Sequence, residues 1–357
     1  MDKMTVLLKQ AVQAEASDLF ITVGIPPMMK IAGSLKVFDH ETIISPHDAE
    51  KYAKQLLTKE RDLKIFLESG EVDFSYSIPE VGRFRVNVFL QRGSYAISAR
   101  RVYSHVLDAD ELGIPDTIMQ LASIQKGLVL VTGPTGCGKS TTLAALVDRI
   151  NQTRSCHILT LEDPIEYLHR HQRSIINQRE MGSDSLSYQK ALRSALRQSP
   201  DVILIGEMRD LETISIALTA AETGHLVLST LHTIGAAKTI DRIIDVFPPA
   251  QQQQIKVQLS TVLEAVISQQ LIPSLDADRV PAFEIMLVNH AIRNMIREGK
   301  VPQIDGVIQM NAPQGMTTMD KSLAQLVIKG AISQSEGLLH AVSQESFKRF
   351  SMQDRKQ

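Results

Sequence analysis

The sequence predicts an α/β protein of two domains, and three observations lead to that fold class. Its 357 residues exceed the usual length of one domain. With 43% hydrophobic and 22% charged residues, the chain can bury a large core, which excludes disordered and collagen-like classes. The apolar pattern also changes along the chain, from the alternation typical of antiparallel strands to the continuous runs typical of a buried parallel sheet.

Charge and cysteine content narrow the class of protein further. Thirty-eight Lys and Arg residues against forty Asp and Glu residues give a net charge of -2, so no global basic field favours nucleic acid or anionic lipid. Two cysteines cannot form a disulfide framework and suit a reducing compartment. The sequence has no apolar run of about 18 residues and no recognisable signal peptide. We therefore expect a soluble protein of the cytoplasm.

Residues 1–103 are predicted to form a small α+β domain. An amphipathic helix near Val6 precedes a strand at Leu19–Val23 and a hairpin, and Ser45 followed by Pro46 indicates a second helix start. From Val72 to Val102 the residues alternate as in antiparallel strands. The predicted apolar face has Phe84, Val86, Val88 and Leu90, and the opposite face has Arg83, Arg85, Asn87 and Gln91.

A linker is expected at residues 104–114, where the alternation is lost and Gly and Pro appear. In the remaining domain, residues 115–357, short apolar runs separated by helical segments indicate a parallel sheet covered on both faces. These runs are Leu128–Val131, His157–Leu161, Val202–Ile205 and Leu226–Thr230. From about residue 250 the chain is predicted to be mostly helical, through Gln251–Leu271 and Asn289–Arg297.

Residues 133–140 read Gly-Pro-Thr-Gly-Cys-Gly-Lys-Ser and match the phosphate-binding pattern G-x-x-x-x-G-K-[ST]. The match lies between a predicted strand and a predicted helix, where backbone N–H groups and the helix dipole favour phosphate. Lys139 could contact the β- and γ-phosphates, and Ser140 could ligate Mg²⁺. The predicted nucleotide-binding residues are Gly133, Pro134, Thr135, Gly136, Cys137, Gly138, Lys139, Ser140 and Thr141. We interpret Cys137 as a small residue that the loop tolerates.

Two further predicted strands end in carboxylates. The segment Asp201–Glu207 ends at Glu207, at the sheet edge where parallel strands bind ligands, with Gly206 where most P-loop ATPases have Asp. Residues 160–166, Thr-Leu-Glu-Asp-Pro-Ile-Glu, place Glu162 after another core strand. Both glutamates are candidates for holding Mg²⁺ or activating water. A solvated acidic turn stays open as the alternative for each segment.

Two histidines flank the predicted strand at residues 226–230. His232 follows the strand at the same edge as the carboxylates, which favours a role in sensing the γ-phosphate. For His225 a structural role and a functional role are equally favoured. A zinc site is disfavoured because no cysteine or third histidine has suitable ligand spacing nearby.

With these motifs the chain resembles the PilT family, the retraction ATPases of type IV pili within the secretion ATPase superfamily. The resemblance covers nearly the whole chain. The segments that carry it are Gly133–Thr142 (GPTGCGKSTT), Thr160–Tyr167 (TLEDPIEY), Asp201–Asp210 (DVILIGEMRD), Ala220–Thr233 (AAETGHLVLSTLHT) and Ala236–Pro248 (AAKTIDRIIDVFP). Near the C-terminus, Ala291–Glu298 (AIRNMIRE) is similar to the AIRNLIRE motif that is tied to retraction in that family, with Met295 replacing Leu.

The resemblance implies a PAS-like N-terminal domain followed by a RecA-like ATPase domain with a helical C-terminal portion. It also implies a homohexameric ring with the nucleotide between neighbouring protomers. Glu162 would activate water, Glu207 would be the Walker B glutamate and, with Ser140, hold Mg²⁺ directly or through water. His232 would belong to the His box. Arginines of the neighbouring N-terminal domain would contact the phosphates, and Arg85 and Arg100 match those positions better than Arg83 and Arg92.

The implied function is an ATP-hydrolysing motor that withdraws pilin subunits during twitching motility. The expected cofactors are ATP and Mg²⁺. The expected partners are further copies of the chain, an inner-membrane platform protein of the pilus and a paralogous pilus ATPase, at the inner face of the cytoplasmic membrane.

Three alternatives remain open. An assembly or type II secretion ATPase would carry an extra N-terminal region and a four-cysteine zinc motif, which this sequence does not contain. A RecA-like nucleic-acid motor would need a basic channel, and the net charge, the absence of Trp and the 4% aromatic content disfavour a nucleic-acid partner. A non-catalytic nucleotide-dependent regulator is disfavoured by the intact Lys139, Ser140, Glu162 and Glu207.

Overall fold

The computed structural model describes residues 2–38, 41–103, 107–276 and 278–353. The chain divides into two compact units. The first contains Met1–His105 together with Pro164–Leu168, and the second contains Val106–Asp163 and His169–Gln357. Residues 104–106 of the expected linker lie outside the described residues.

The N-terminal unit is built on an antiparallel sheet. Its strands are β1 (Asp18–Ile21), β2 (Met28–Ile31), β3 (Ser34–Val37), β4 (Glu71–Ile78), β5 (Gly82–Gln91) and β6 (Ser94–Val102). Its helices are α1 (Lys3–Gln13), α2 (Pro46–Leu56) and α3 (Glu60–Ser69). The six strands are arranged in the order β3-β2-β1-β6-β5-β4. This is the small α+β architecture expected for the first domain.

The core of this unit lies between the sheet and the helices. Phe84, Val86 and Val88 of β5 are buried in one cluster with apolar residues of α1 and α2, as the alternation predicts. Leu90 lies on the same face, as the unbroken register with β6 shows, but it is 46% exposed. The cause is its position at the end of β5, beside the turn that leads into β6. The helix predicted at Ser45 is confirmed, with a capping box between Ser45 and Asp48.

The second unit is built on a seven-stranded sheet. Its strands are β7 (Gly127–Thr132), β8 (His157–Glu162), β9 (Ile175–Glu180), β10 (Val202–Ile205), β11 (Leu226–Leu231), β12 (Leu263–Pro273) and β13 (Arg279–Leu287). Their order is β13-β12-β7-β11-β10-β8-β9. All neighbouring pairs are parallel except β12 and β13, which form an antiparallel hairpin. The four strands predicted in this unit are confirmed, whereas β9, β12 and β13 were not predicted.

Helices cover both faces of this sheet, and several follow it toward the C-terminus. They are α4 (Asp116–Met119), α5 (Lys139–Thr153), α6 (Tyr188–Ala195), α7 (Leu211–Glu222), α8 (Ala236–Asp245), α9 (Pro249–Val262), α10 (His290–Glu298), α11 (Ile304–Met310), α12 (Met319–Ile328), α13 (Gln334–His340) and α14 (Gln344–Gln353). On β7, Leu128 and Leu130 join the core beneath α7 to α10, while Val129 and Val131 join the core beneath α5. Among the described residues, no helix is both long enough and apolar enough to cross a bilayer.

The helix predicted through Gln251–Leu271 is wrong after Val262. There α9 ends, and the chain continues as β12 in parallel register with β7. The residues from Leu263 to Gln270 are buried apart from Glu264, so the run lacks the periodicity that distinguishes a strand from a helix. The helix predicted at Asn289–Arg297 is confirmed as α10, with the Asn289 side chain as its N-cap.

Candidate nucleotide-binding site

The predicted phosphate loop connects the carboxyl end of β7 to the first turn of α5. Gly133, Gly136 and Gly138 have φ angles of 141°, 79° and 89°, which favour glycine. A Cβ at Gly133 would lie 2.2 Å from the carbonyl oxygen of Gln269, and one at Gly138 would lie 2.9 Å from its side-chain nitrogen. Glycine is therefore required here both by the backbone conformation and by the close approach of β12.

Lys139 supplies the positive charge of the loop. Its side chain is buried, and its Nζ donates hydrogen bonds of 2.9 Å to the carbonyl oxygens of Gly133 and Pro134. Burial lowers the pKa of Lys139 from its ordinary value. A buried ammonium held by backbone carbonyls is costly, and a bound phosphate would compensate its charge. The donor set of the loop thus fits the phosphates of a nucleotide.

The other residues of the loop divide into exposed and buried positions. Pro134, Thr135, Gly136 and Ser140 are exposed, so their backbone and hydroxyl groups are accessible to a ligand. Ser140 lies in the first turn of α5, where its hydroxyl could ligate a metal ion beside the phosphates. Cys137 is 3% exposed, and burial raises the pKa of its thiol. A buried neutral thiol agrees with its interpretation as a small residue that fills the loop.

Glu207 follows β10 at the same edge of the sheet. One carboxylate oxygen pairs with Arg209, and the other lies 3.2 Å from Nε2 of His232. Burial raises the pKa of Glu207, but the pairing with Arg209 and the hydrogen bond with His232 together hold it below its ordinary value. Glu207 is therefore ionised at neutral pH, as a metal-binding or proton-accepting carboxylate must be.

His232 joins this carboxylate to the phosphate loop. Its Nδ1 lies 3.4 Å from Oγ1 of Thr135, while its Nε2 faces Glu207. Since an ionised carboxylate can only accept, Nε2 of His232 donates to Glu207, and Nδ1 makes the contact with the Thr135 hydroxyl. His225 lies at the other end of β11, where its Nδ1 contacts the carbonyl oxygen of Ala220. That position favours the structural interpretation of His225.

Glu162 ends β8, which neighbours β10 in the sheet. Its Oε1 accepts hydrogen bonds from Oγ1 of Thr160 at 2.6 Å and from Nε2 of Gln178 at 3.2 Å. A Cβ at Gly206 would lie 3.0 Å from the Tyr188 hydroxyl and 3.4 Å from the Cα of Glu162. A side chain at this position, where most P-loop ATPases have Asp, would require these neighbours to shift by a few tenths of an ångström.

Three polar side chains beside these carboxylates were not predicted from the sequence. Arg209 pairs with Glu207. The sequence signal for this pair was the position of an arginine two residues after the glutamate. Gln178 holds Glu162 from β9, a strand that was not predicted. Burial, followed by the charges of Asp163 and Glu207, raises the pKa of Tyr188 well above its ordinary value. Tyr188 therefore presents a protonated hydroxyl close to Gly206.

The predicted arginines lie in the N-terminal unit. Arg85 of β5 is directly opposite Arg100 of β6, and Arg100 is opposite Asp18 of β1. The Nε of Arg100 donates to Asp18 at 2.8 Å, while Arg85 is exposed. Two arginines at directly opposed positions repel each other. The charge of Arg100 is offset by Asp18 and, to a smaller extent, by Glu166. The structure thus brings Arg85 and Arg100 together on one surface of the N-terminal unit.

Comparison with known proteins agrees with this geometry. The family model of the Type II/IV secretion system protein matches residues 77–293. The "Type IV pilus retractation ATPase PilT" of Pseudomonas aeruginosa is 47% identical over 96% of this chain and 99% of its own length. The "Type IV pilus ATPase PilU" of the same organism is 40% identical over 94% of this chain and 88% of its own length.

A solved structure matches over almost the full length as well. The crystal structure of the pilus retraction motor PilT with bound ADP has a TM-score of 0.90 and 44% identity, covering 98% of this chain and 99% of that one. The fold class predicted from sequence, a small α+β domain followed by a RecA-like P-loop domain with a helical C-terminal portion, is confirmed. The chain belongs to the PilT family of ATPases, within the type II/IV secretion system proteins.

Proposed function

We propose that this chain is an ATP-hydrolysing motor that powers the retraction of type IV pili. The observation that carries the proposal is the chain of contacts from Thr135 through His232 to Glu207, which links the loop that contains Lys139 to a carboxylate at the same edge of the sheet. Such a set combines a phosphate loop with an ionised carboxylate and a group that can respond to the γ-phosphate. The identity to PilT over nearly the whole chain supports retraction as the work that hydrolysis drives.

The residues have distinct roles in the proposed reaction, in which ATP and water give ADP and phosphate. The loop glycines and Lys139 would bind the phosphates, and Ser140 and Glu207 would hold Mg²⁺, directly or through water. The bound ion would supply positive charge against the negative charge that develops in the reaction. Glu162 accepts a proton from the attacking water, and its hydrogen bonds with Thr160 and Gln178 fix the orientation of the carboxylate.

Arg85 and Arg100 are proposed to act on a neighbouring protomer. Their guanidinium groups would stabilise the charge that develops on the transferred phosphoryl group. In a homohexameric ring each interface would then hold one nucleotide. Hydrolysis would change how adjacent protomers pack, so chemistry and motion would be coupled through the same contacts.

We place this motor at the cytoplasmic face of the inner membrane, against a platform protein of the pilus machine. A paralogous ATPase of the PilU type is a further proposed partner.

Deletion of the gene in its own bacterium tests the function. We expect the deletion strain to keep surface pili and to lose twitching motility, because assembled pilin is no longer withdrawn. The wild-type gene should restore motility, and Glu207→Gln at equal protein level should not. Loss of surface pili on deletion would contradict retraction and favour the assembly ATPase instead.

A further inference from the structure

Strand β12 contains three consecutive polar residues that are almost completely buried. Ser268, Gln269 and Gln270 are 0%, 3% and 9% exposed in a strand that is otherwise mainly apolar. Burying a polar group costs free energy unless it forms hydrogen bonds. Each of these three side chains therefore needs a hydrogen-bond partner inside the protein. The three residues contact three different parts of the second unit.

Gln269 contacts the phosphate loop at both ends. Its Oε1 accepts a hydrogen bond of 2.7 Å from Oγ1 of Thr142 in α5. Its backbone oxygen and side-chain nitrogen closely approach Gly133 and Gly138, where no Cβ would fit. Since Ser268 pairs with Thr132, Gln269 lies level with the point where the loop leaves β7. Gln269 therefore packs against both ends of the phosphate loop.

Ser268 contacts the segment that follows His232. Its Oγ accepts a hydrogen bond of 2.9 Å from the backbone N–H of Gly235. Glu284, the residue opposite Ser268 on β13, accepts one of 2.7 Å from the N–H of Ala236. Helix α8 has no side-chain cap from its own N-terminal residue, so the hairpin supplies its cap. These bonds fix the backbone three residues after His232.

Gln270 makes the third contact, away from both loops. Its side chain bonds with Nδ1 and with the carbonyl oxygen of His340 in α13. Gln270 is a buried glutamine directly next to Gln269, which makes it a matched control.

We propose that Gln269 is a positioning residue that sets the conformation of the phosphate loop, while Ser268 sets that of the His232 segment. Adjacent residues of one strand would then govern nucleotide affinity and turnover separately. Without the contacts of Gln269, the phosphate loop would populate other conformations. The apparent affinity for nucleotide falls in proportion to the fraction of molecules whose loop is competent to bind. The inference rests on the proposed function, because it supposes that the loop binds nucleotide.

The test uses the full-length protein with Gln269→Met, Ser268→Ala and Gln270→Met. ADP affinity is measured by calorimetry, and kcat and KM for ATP by phosphate release. For Gln269→Met we expect ADP affinity and KM to worsen roughly tenfold, as for a lost buried hydrogen bond, with kcat retained. For Ser268→Ala we expect unchanged ADP affinity and a kcat that is lower by roughly tenfold. Gln270→Met should match the wild type in both measurements.

If Gln269→Met fails to fold, the hydrogen bond between Thr142 and Gln269 can be removed by a substitution at Thr142 instead. Thr142→Val removes the donor and should weaken ADP binding, whereas Thr142→Ser keeps it and should bind like the wild type. Wild-type ADP affinity in Gln269→Met or Thr142→Val would overturn the inference, as would an equal loss in Gln270→Met. A wild-type protein that binds no ADP would overturn the proposed function as well, so the two failures are distinguishable.

Discussion

The buried ammonium of Lys139 makes the phosphate loop sensitive to a single truncation. For Lys139→Ala we predict a loss of ATP and ADP affinity of roughly 10- to 100-fold, since charge-assisted hydrogen bonds to phosphate disappear. Calorimetry measures this loss, and Lys190→Ala, an exposed lysine of α6, is the control. Nucleotide binding that equals the wild type would remove Lys139 from the site.

Glu207 is expected to contribute to turnover more than to binding. Glu207→Gln keeps the shape of the side chain but removes the charge that pairs with Arg209 and faces His232. We predict ATP affinity close to the wild type and a kcat that is lower by about 100-fold, measured as phosphate release at saturating ATP. Glu212→Gln, an acid on α7 that pairs with Arg193, should change neither value. Turnover at the wild-type rate would contradict the assigned role.

The buried imidazole of His169 should make the free energy of unfolding depend on pH. Its buried Nδ1 has no hydrogen-bond partner among the described residues, and burial lowers its pKa from 6.5 to about 4. As the pH falls through 6.5, the unfolded chain takes up a proton that the folded chain does not bind. The free energy of unfolding should therefore decrease by about 3 kcal/mol between pH 6.5 and pH 4.

Denaturant titrations across this pH range measure the effect. His169→Gln should remove this part of the decrease, while the exposed His47→Gln should retain it. An unchanged pH profile in His169→Gln would show that this imidazole titrates alike in both states.

The phosphate loop, Glu207 and His232 could be predicted from sequence because each depends on a short local pattern beside a strand. Gln178 and Gln269 could not, since each acts through a contact with a residue far away in the chain. Their strands, β9 and β12, also lacked a signal. A glutamine in a buried strand resembles an ordinary polar residue until its partner is known.

Helix α10 divides the AIRNMIRE segment into a structural face and an exposed face. Ile292 and Ile296 are fully buried, and Arg293 donates to the carbonyl oxygens of Ser260 and Thr261 at the end of α9. These bonds satisfy carbonyls that a helix end leaves without partners. The exposed face contains Ala291, Asn294 and Arg297, and it is available to a partner.

Substitutions of two arginines of α10 should therefore have different effects on stability and on retraction. Arg293→Met should lower the free energy of unfolding by about 1–3 kcal/mol, because the carbonyls at the end of α9 and the carboxylate of Glu264 lose their partner. Arg297→Met, on the exposed face, should leave the thermal midpoint unchanged and reduce retraction in cells. Thermal unfolding and a motility assay measure the two effects. Equal destabilisation by both variants would contradict this division of the helix.

On the sheet of the second unit, strand boundaries could be predicted from the sequence where the apolar runs were short and bounded by turns. The boundary at Val262 did not, because a buried helix passes directly into a buried strand without a Gly or Pro between them. The parallel pairing of β12 with β7 provides backbone hydrogen bonds that stabilise the strand over a continued helix.

The division of the whole chain into two units contains a feature that no sequence pattern indicated. Pro164–Leu168, which begins two residues after Glu162, groups with the N-terminal unit, and Leu168 donates a backbone hydrogen bond to Tyr103. The chain therefore runs directly from the candidate water-activating acid into the unit that contains Arg85 and Arg100. This connection gives the N-terminal unit a covalent link to the site.

In the proposed ring each nucleotide site is shared between two protomers, and co-expression of two inactive variants tests this arrangement. Lys139→Ala lacks the phosphate-binding cation and Arg85→Ala lacks the proposed arginine from the neighbour, so each alone should hydrolyse little ATP. In mixed rings about a quarter of the interfaces would combine an intact phosphate loop with an intact Arg85. We predict that the co-purified mixture recovers turnover that neither variant shows. A mixture as inactive as its components, or full activity of Arg85→Ala alone, would contradict the shared site.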